Sequence, residues 1–215
     1  MSESTEMYLL TIYKLNEQHG RAGNTLMANW LGVSTASITE MVKKLAEKGL
    51  VERKGRGLYL KPAGEKIALR VIRKHRLAER FLTDHLGIPW DHAHDQACRL
   101  EHILSDQVVN ALEEFLDYPA TCPHGHPIPD RDGRLEYTES PRLHDHPEGR
   151  VVEVERVSEE SAEVLRYLEE IGLKPGCRLT IEKVAPFEGP LLVRVGEAAL
   201  PLSREIAGKI WARAT

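Results

Sequence analysis

Apolar residues recur at helical spacing along the first half of the chain and at alternate positions along its last third. Met7, Leu9, Leu10, Ile12, Tyr13 and Leu15 keep the helical period across residues 4–18, which predicts an amphipathic helix capped by Ser4 or Thr5 and stopped at His19-Gly20. A short helix is predicted from Thr25 to Leu31, ended by Gly32, and a second opens at Ser34 and runs to Lys48 before Gly49. Ala28, Leu31, Val33, Ile38, Val42 and Leu45 supply the apolar face that packs this pair. Short helix, tight glycine turn and capped second helix, in that order, make a helix-turn-helix pattern. Residues 50–60 (LVERKGRGLYL) then read as two short strands around a basic, Gly-rich turn, the wing of a winged helix.

Pro62-Ala-Gly64 opens a long helix to about residue 87. A short connection, Gly87-Ile-Pro-Trp90, leads to another helix from about Asp91, and Ile103, Leu104, Val108, Leu112, Phe115 and Leu116 continue the helical period to residue 116. Residues 118–149 are rich in Pro, Asp and His without clear periodicity and read as an ordered loop followed by a linker. From Arg150 the pattern becomes alternating. Strands are predicted at 151–157, 178–184, 191–195 and 199–202, with a helix at 161–171 ended by Gly172.

Composition narrows the class. With 215 residues, 41% hydrophobic and 29% charged, the chain reads as soluble and globular with room for two or three small domains. No apolar run approaches a membrane span and the start, MSESTEMYLL, lacks a basic leader, so a cytosolic location is the default expectation. Three cysteines at 98, 122 and 177 form no Cys-x-x-Cys pair, which argues against a disulfide framework and a zinc ribbon. The net charge of −4 hides an asymmetry: residues 25–80 hold 13 Lys/Arg against 5 Asp/Glu, and residues 81–150 hold 5 against 14. Eight of the ten histidines lie in that second, acidic segment. A basic front joined to an acidic, His-rich middle suggests a nucleic-acid face attached to a cation-binding body.

Residues can be assigned to both. Thr25 heads the first helix of the pair. Ser34, Thr35, Ala36, Ser37, Thr39 and Glu40 open the second, where a recognition helix presents small polar groups to base edges. Lys43 and Lys44 follow a turn later, and Arg53, Lys54 and Arg56 sit on the wing, placed for phosphates. For the cation, His94, Cys98, Glu101 and His102 share one face of a continuous helix. Nitrogen, sulfur and oxygen donors together suit a first-row transition metal and suit calcium or magnesium poorly. His75 and Glu79, at i and i+4 on the preceding helix, can converge with His94 on one cluster if the two helices pack antiparallel. Cys98, Glu101 and His102 then form a second, to which Met7 offers a thioether. Cys122-Pro-His124-Gly-His126 resembles a chelating tract, but no partner spacing completes a zinc motif and a structural or incidental role is expected; His144 and His146 read as linker residues.

The conjunction of TEMYLLTIYKL, the winged helix, RKHRLAERFL and HDQACRLEH closely resembles the diphtheria toxin repressor and iron-dependent regulator family, over about residues 3–130. The resemblance implies a mainly α protein with an N-terminal winged helix-turn-helix (1–64), a helical metal-binding and dimerisation domain (65–130), a linker (131–149) and a C-terminal SH3-like β domain (150–215), the last also seen in small ferrous-transport accessory proteins. It implies a homodimer that binds a palindromic operator in double-stranded DNA when loaded with Fe2+ or Mn2+ at two sites per subunit, with Co2+, Ni2+, Zn2+ or Cd2+ as in vitro substitutes. The primary site then falls on Met7, Cys98, Glu101 and His102, and the ancillary site on His75, Glu79 and His94, completed from the third domain by residues among Glu155, Glu159 and Glu160. Manganese-selective relatives replace the sulfur donors with carboxylates, so Met7 and Cys98 look like the iron branch. Glu40 departs from the Gln expected at its position in the recognition helix. No zincin, P-loop or Gly-x-Ser-x-Gly motif is present, and no enzymatic activity is expected. The alternative is a winged-helix regulator with a structural metal or another effector.

Overall fold

The structure, a computed structural model, describes residues 2–136, 139–158 and 161–215. It divides into two compact units. The first comprises residues 1–75 together with 100–105 and 129–135; the second comprises residues 76–99, 106–128 and 136–215.

The first unit begins with α1 (Glu3–His19), α2 (Asn24–Leu31) and α3 (Thr35–Glu47), followed by β1 (Val51–Lys54) and β2 (Gly57–Leu60) paired antiparallel in register Val51 with Leu60. The cap of α1 is Ser2, not Ser4 or Thr5: its hydroxyl accepts from the Thr5 backbone N–H, and the helix starts two or three residues earlier than expected. Leu9, Ile12, Leu15, Met27, Ile38, Leu45 and Leu58 are fully or almost fully buried in one core. Gly32, at φ +65°, makes the left-handed exit from α2 that a side chain would resist. Ser34 caps α3, its hydroxyl accepting from Ser37 N–H at 3.1 Å. Ser34→Ala should lower unfolding stability by about 1 kcal/mol, read as a lower urea midpoint at unchanged slope.

The long helix α4 (Pro62–Asp84) starts in the first unit and ends three residues before Gly87. It is followed by α5 (Trp90–Leu100) and α6 (Asp106–Phe115). The helix expected to carry residue 94 through 102 therefore stops at Leu100, and Glu101–Ile103 form a turn that closes through Ile103 N–H and Leu104 N–H to Leu100 O. Lys74 Nζ donates to Leu104 O at 2.7 Å and supplies that carbonyl with a partner outside a helix. None of the described helices is long and apolar enough to cross a membrane.

In the second unit a five-stranded antiparallel sheet of order β6-β5-β4-β3-β7 is built from β3 (Val151–Val157), β4 (Arg178–Val184), β5 (Leu191–Val195), β6 (Ala198–Leu202) and β7 (Ile210–Ala214). Helix α7 (Ala162–Glu170), capped by Ser161, buries Val164, Leu165 and Leu168 in the same core as the sheet. A four-residue helix, α8 (Arg204–Ala207), and β7 were not legible in the alternation; Ala212 and Ala214 are poor strand formers. β7 is held by antiparallel pairing with β3, from Val152 with Ala214 to Val157 with Ile210, and by burial of Ile210 and Ala212; the Trp211 ring also has the guanidinium of Arg142 at 3.4 Å and that of Arg156 at 4.7 Å. Arg142 belongs to the stretch that reads as linker, as do Leu143, fully buried against the sheet, and His146, whose Nε2 donates to Ala212 O at 3.0 Å. Residues 140–149 are thus packed on the sheet.

The Cys122–His126 tract forms a tight loop, with Cys122 N–H donating to His126 O and Gly125 N–H to Cys122 O, both at 2.9 Å. It lies along the end of β3. Val157 N–H donates to His124 O at 3.0 Å, and His126 Nε2 donates to Val157 O at 2.9 Å. Gly125 (φ +86°) is where the two backbones meet; a Cβ there would stand 2.0 Å from Glu155 O.

Candidate metal centres and nucleic-acid interface

Ile38, Val42 and Leu45 turn one face of α3 into the core, which forces the opposite face outward. Thr25, Ser34, Thr35, Ala36, Ser37, Thr39, Glu40, Lys43 and Lys44 are all exposed, and so are Arg53, Lys54 and Arg56 on the hairpin. Every residue read as a DNA contact is thus on the surface of the first unit. Asn24 joins the two parts: its amide donates to Thr39 Oγ1 at 2.9 Å, and its Oδ1 accepts from Arg53 at 3.1 Å. That link sets the base of the wing against the recognition helix.

The same unit holds a chain of imidazoles and carboxylates, buried at His75 and Glu101 and partly buried at His102 and Glu6. His75 Nδ1 lies 2.6 Å from Glu101 Oε2, and both side chains are almost fully buried. His102 Nε2 is 3.2 Å from Glu101 Oε1, and His102 Nδ1 is 3.0 Å from Glu6 Oε2. His102 therefore has a carboxylate at each ring nitrogen, an arrangement that favours a cation in its neighbourhood. Met7 is 40% exposed, which removes core filling as its explanation. Glu6, one residue before Met7 on α1, is a functional candidate that periodicity missed. Its position in the helical pattern is polar and indistinguishable from a solvated face.

The second unit contributes Glu79, His94 and Cys98 of the expected residues. Glu79 is fully buried, with His94 Nδ1 at 3.3 Å and His124 Nδ1 at 3.4 Å from its Oε1. Cys98 Sγ lies 3.7 Å from His94 Nε2 on the exposed side of α5. The donor atoms of Glu79, Cys122 and His124 all lie within 4.8 Å of one another, in a buried cluster that could hold a metal ion. His124 is oriented by its other nitrogen, which sits 3.0 Å from Trp90 O, and its ring stacks on Trp90 at 5.4 Å. Burial opposes protonation of His124, but hydrogen bonds to Cys122 and then to Glu79 outweigh it and push its pKa up to about 11. A buried carboxylate, thiol and imidazole held face to face supply the mixed donor set of a transition-metal site.

The Cys122/His124 tract, whose expected role is structural or incidental, has a structural role and a metal-binding one available: its backbone bonds to β3 and its side chains face Glu79. The tract itself was the sequence signal; its partner could not be found because Glu79 lies 43 positions before Cys122. Glu155 is engaged elsewhere, accepting a hydrogen bond from Ser140 and lying 3.8 Å from Arg213. Glu159 and Glu160 fall outside the described residues.

Comparison with known proteins gives matches along most of the chain. Residues 1–58 match the domain family described as iron dependent repressor, N-terminal DNA binding domain, and residues 61–130 match iron dependent repressor, metal binding and dimerisation domain. Residues 142–214 match the FeoA domain. The chain is 34% identical over 221 residues to the iron-dependent repressor IdeR of Mycobacterium tuberculosis, covering 95% of this chain and 94% of that one. It is 42% identical over 135 residues to the diphtheria toxin repressor of Corynebacterium jeikeium, covering 62% of this chain and 56% of that one. Among solved structures it resembles a manganese-dependent transcriptional repressor in complex with manganese (TM-score 0.92, 32% identity, 98% of this chain and 100% of that one). It also resembles IdeR of T. acidophilum (TM-score 0.82, 28% identity, 100% of this chain and 99% of that one). With both halves of the repressor matched and nearly its whole length shared with IdeR, the chain belongs to the iron-dependent repressor family.

Proposed function

We propose that this protein is a metal-activated transcriptional repressor in which Fe2+ or Mn2+ stabilises the DNA-competent homodimer, acting in the cytosol on genes of iron or manganese homeostasis. The observation that carries this reading lies within the first unit. Glu6, on the first helix of the DNA-binding fold, faces His102 Nδ1, while Glu101 faces the other side of the same ring. Donors suited to a divalent cation therefore join α1 to the 100–105 turn in the unit that also exposes the recognition helix. Glu6, Glu101 and His102 would hold such a cation, which would tie α1 to the turn and shift DNA affinity only through a different affinity for the competent and incompetent states.

We assign Met7, Cys98, Glu101 and His102 to the primary site, with Glu6 beside them, and His75, Glu79 and His94 to the ancillary site, with Cys122 and His124 on the Glu79 side. The bound group supplies positive charge that neutralises the facing carboxylates; the residues orient and shield it. Homodimerisation is supported by the match of residues 61–130 to a dimerisation domain and by the exposed apolar Val108 and Phe115 of α6. The thioether and thiol favour Fe2+, and the manganese-dependent relatives keep Mn2+ in contention.

Selection from a random double-stranded DNA library, run anaerobically with and without Fe2+ or Mn2+ at matched free concentration, tests the reading. A palindrome enriched only with metal is the expected result, and the more effective ion identifies the effector. A palindrome enriched equally without metal would reduce the donors to a structural role and favour the alternative regulator.

A further inference from the structure

The recognition helix carries a carboxylate where it will meet DNA. Taken at 100° per residue, Glu40 lies about 190° round α3 from the centre of the buried Ile38, Val42 and Leu45 stripe, so it stands on the outermost ridge. Its side chain is 70% exposed, and Lys44 Nζ holds Oε1 at 2.7 Å. A negative charge in that place is repelled by the phosphates on both sides of a groove. Accepting a hydrogen bond from a base, beside the Lys44 ammonium, offsets that repulsion.

The hydroxyls of Ser34, Ser37 and Thr39 are already engaged within the protein. Ser34 caps the helix and bonds Ser37 through its hydroxyl at 2.9 Å. Thr39 donates to Thr35 O at 2.8 Å and accepts from Asn24 at 2.9 Å. Lys43 and Lys44 are cations that donate only. The Glu40 carboxylate keeps acceptor capacity beyond the single ion pair, and that pair fixes its direction.

We infer that Glu40 is a base-reading residue that accepts from the exocyclic amino group of a cytosine in the major groove and sets one cytosine in each operator half-site. The inference rests on the DNA-binding function proposed above. Two donors are available on major-groove base edges, cytosine N4 and adenine N6. Adenine sets N7, an acceptor, beside its amino group, and that lone pair repels a second carboxylate oxygen. Cytosine sets a C–H there. Glutamine differs from glutamate in presenting one donor and one acceptor, which matches adenine N7 and N6. Lys44 is a positioning residue, since it acts through the carboxylate.

The test is library selection at saturating Mn2+ with the full-length protein and its Glu40→Gln and Glu40→Ala variants. Because Glu40 is exposed, both variants should keep the parent melting temperature. The parent should require cytosine at one position per half-site, by about 5- to 150-fold over the other bases. Glu40→Gln should move that preference to adenine, and Glu40→Ala should erase it, with every other position unchanged. Identical preferences in all three proteins at every position overturn the assignment of Glu40 and leave the repressor function standing. No palindrome from the parent protein overturns both.

Discussion

Glu101→Ala should remove metal-dependent DNA binding from a protein that still folds. In the structure this carboxylate is 2% exposed and spans two imidazoles, His75 at 2.6 Å and His102 at 3.2 Å. It would contribute negative charge to a bound cation and, without metal, is hydrogen-bonded to His75 Nδ1. Without it, two buried histidines face no carboxylate in that position, at a cost of about 1–3 kcal/mol. Typical domain stability of about 5–15 kcal/mol absorbs that loss. The functional loss is larger in consequence. A coupling of about 1–3 kcal/mol between metal and operator corresponds to a gain of about 5- to 150-fold in affinity, and the variant should show less than about 2-fold. Operator binding titrated with and without Mn2+ at one fixed salt concentration measures the gain. A variant that retains the full gain removes Glu101 from the metal site.

The second large effect is structural. Gly125→Ala should destabilise the second unit by about 2–4 kcal/mol, through left-handed backbone strain and overpacking together. The new Cβ meets Glu155 O at 2.0 Å in a contact between two backbones, which no side-chain rotation relieves. Gly149 provides the comparison. It has a similar φ of +81° with nothing within 4 Å of its Cβ position, so Gly149→Ala should cost only about 1–2 kcal/mol of strain. Urea unfolding of both variants separates the two contributions. Equal losses would mean that the loop moves away from β3 without penalty. The larger loss at Gly125 should also weaken metal retention by Cys122 and His124, which the loop presents to Glu79.

The periodic parts of the chain were read well because each is written in local physical chemistry. Ser34, the apolar Ile38, Val42 and Leu45, and Gly49 announce a capped amphipathic helix with a defined end whatever it packs against. The alternation of 151–157 and 178–184 announces strands for the same reason. The break at 101–105 was missed because residues 103–116 keep the helical period through it, and period alone does not report where backbone bonding is interrupted. A Lys74 ammonium on Leu104 O is a non-local partner. Strand β7 is not legible locally because its pairing is non-local: Ile210 stands opposite Val157 of β3, 53 positions earlier.

For this protein the sequence by itself determined the winged helix, the exposed basic and polar ridge, and the donor-bearing motifs, because spacing along a helix or hairpin is enough to place residues on one face. Only the tertiary structure decided which donors meet. It set Glu6 against His102, His75 against Glu101, and Cys122 and His124 against Glu79. Those pairs join positions 26 to 96 residues apart, and the outcome depends on how separate elements pack to bury their apolar faces, which no local pattern encodes.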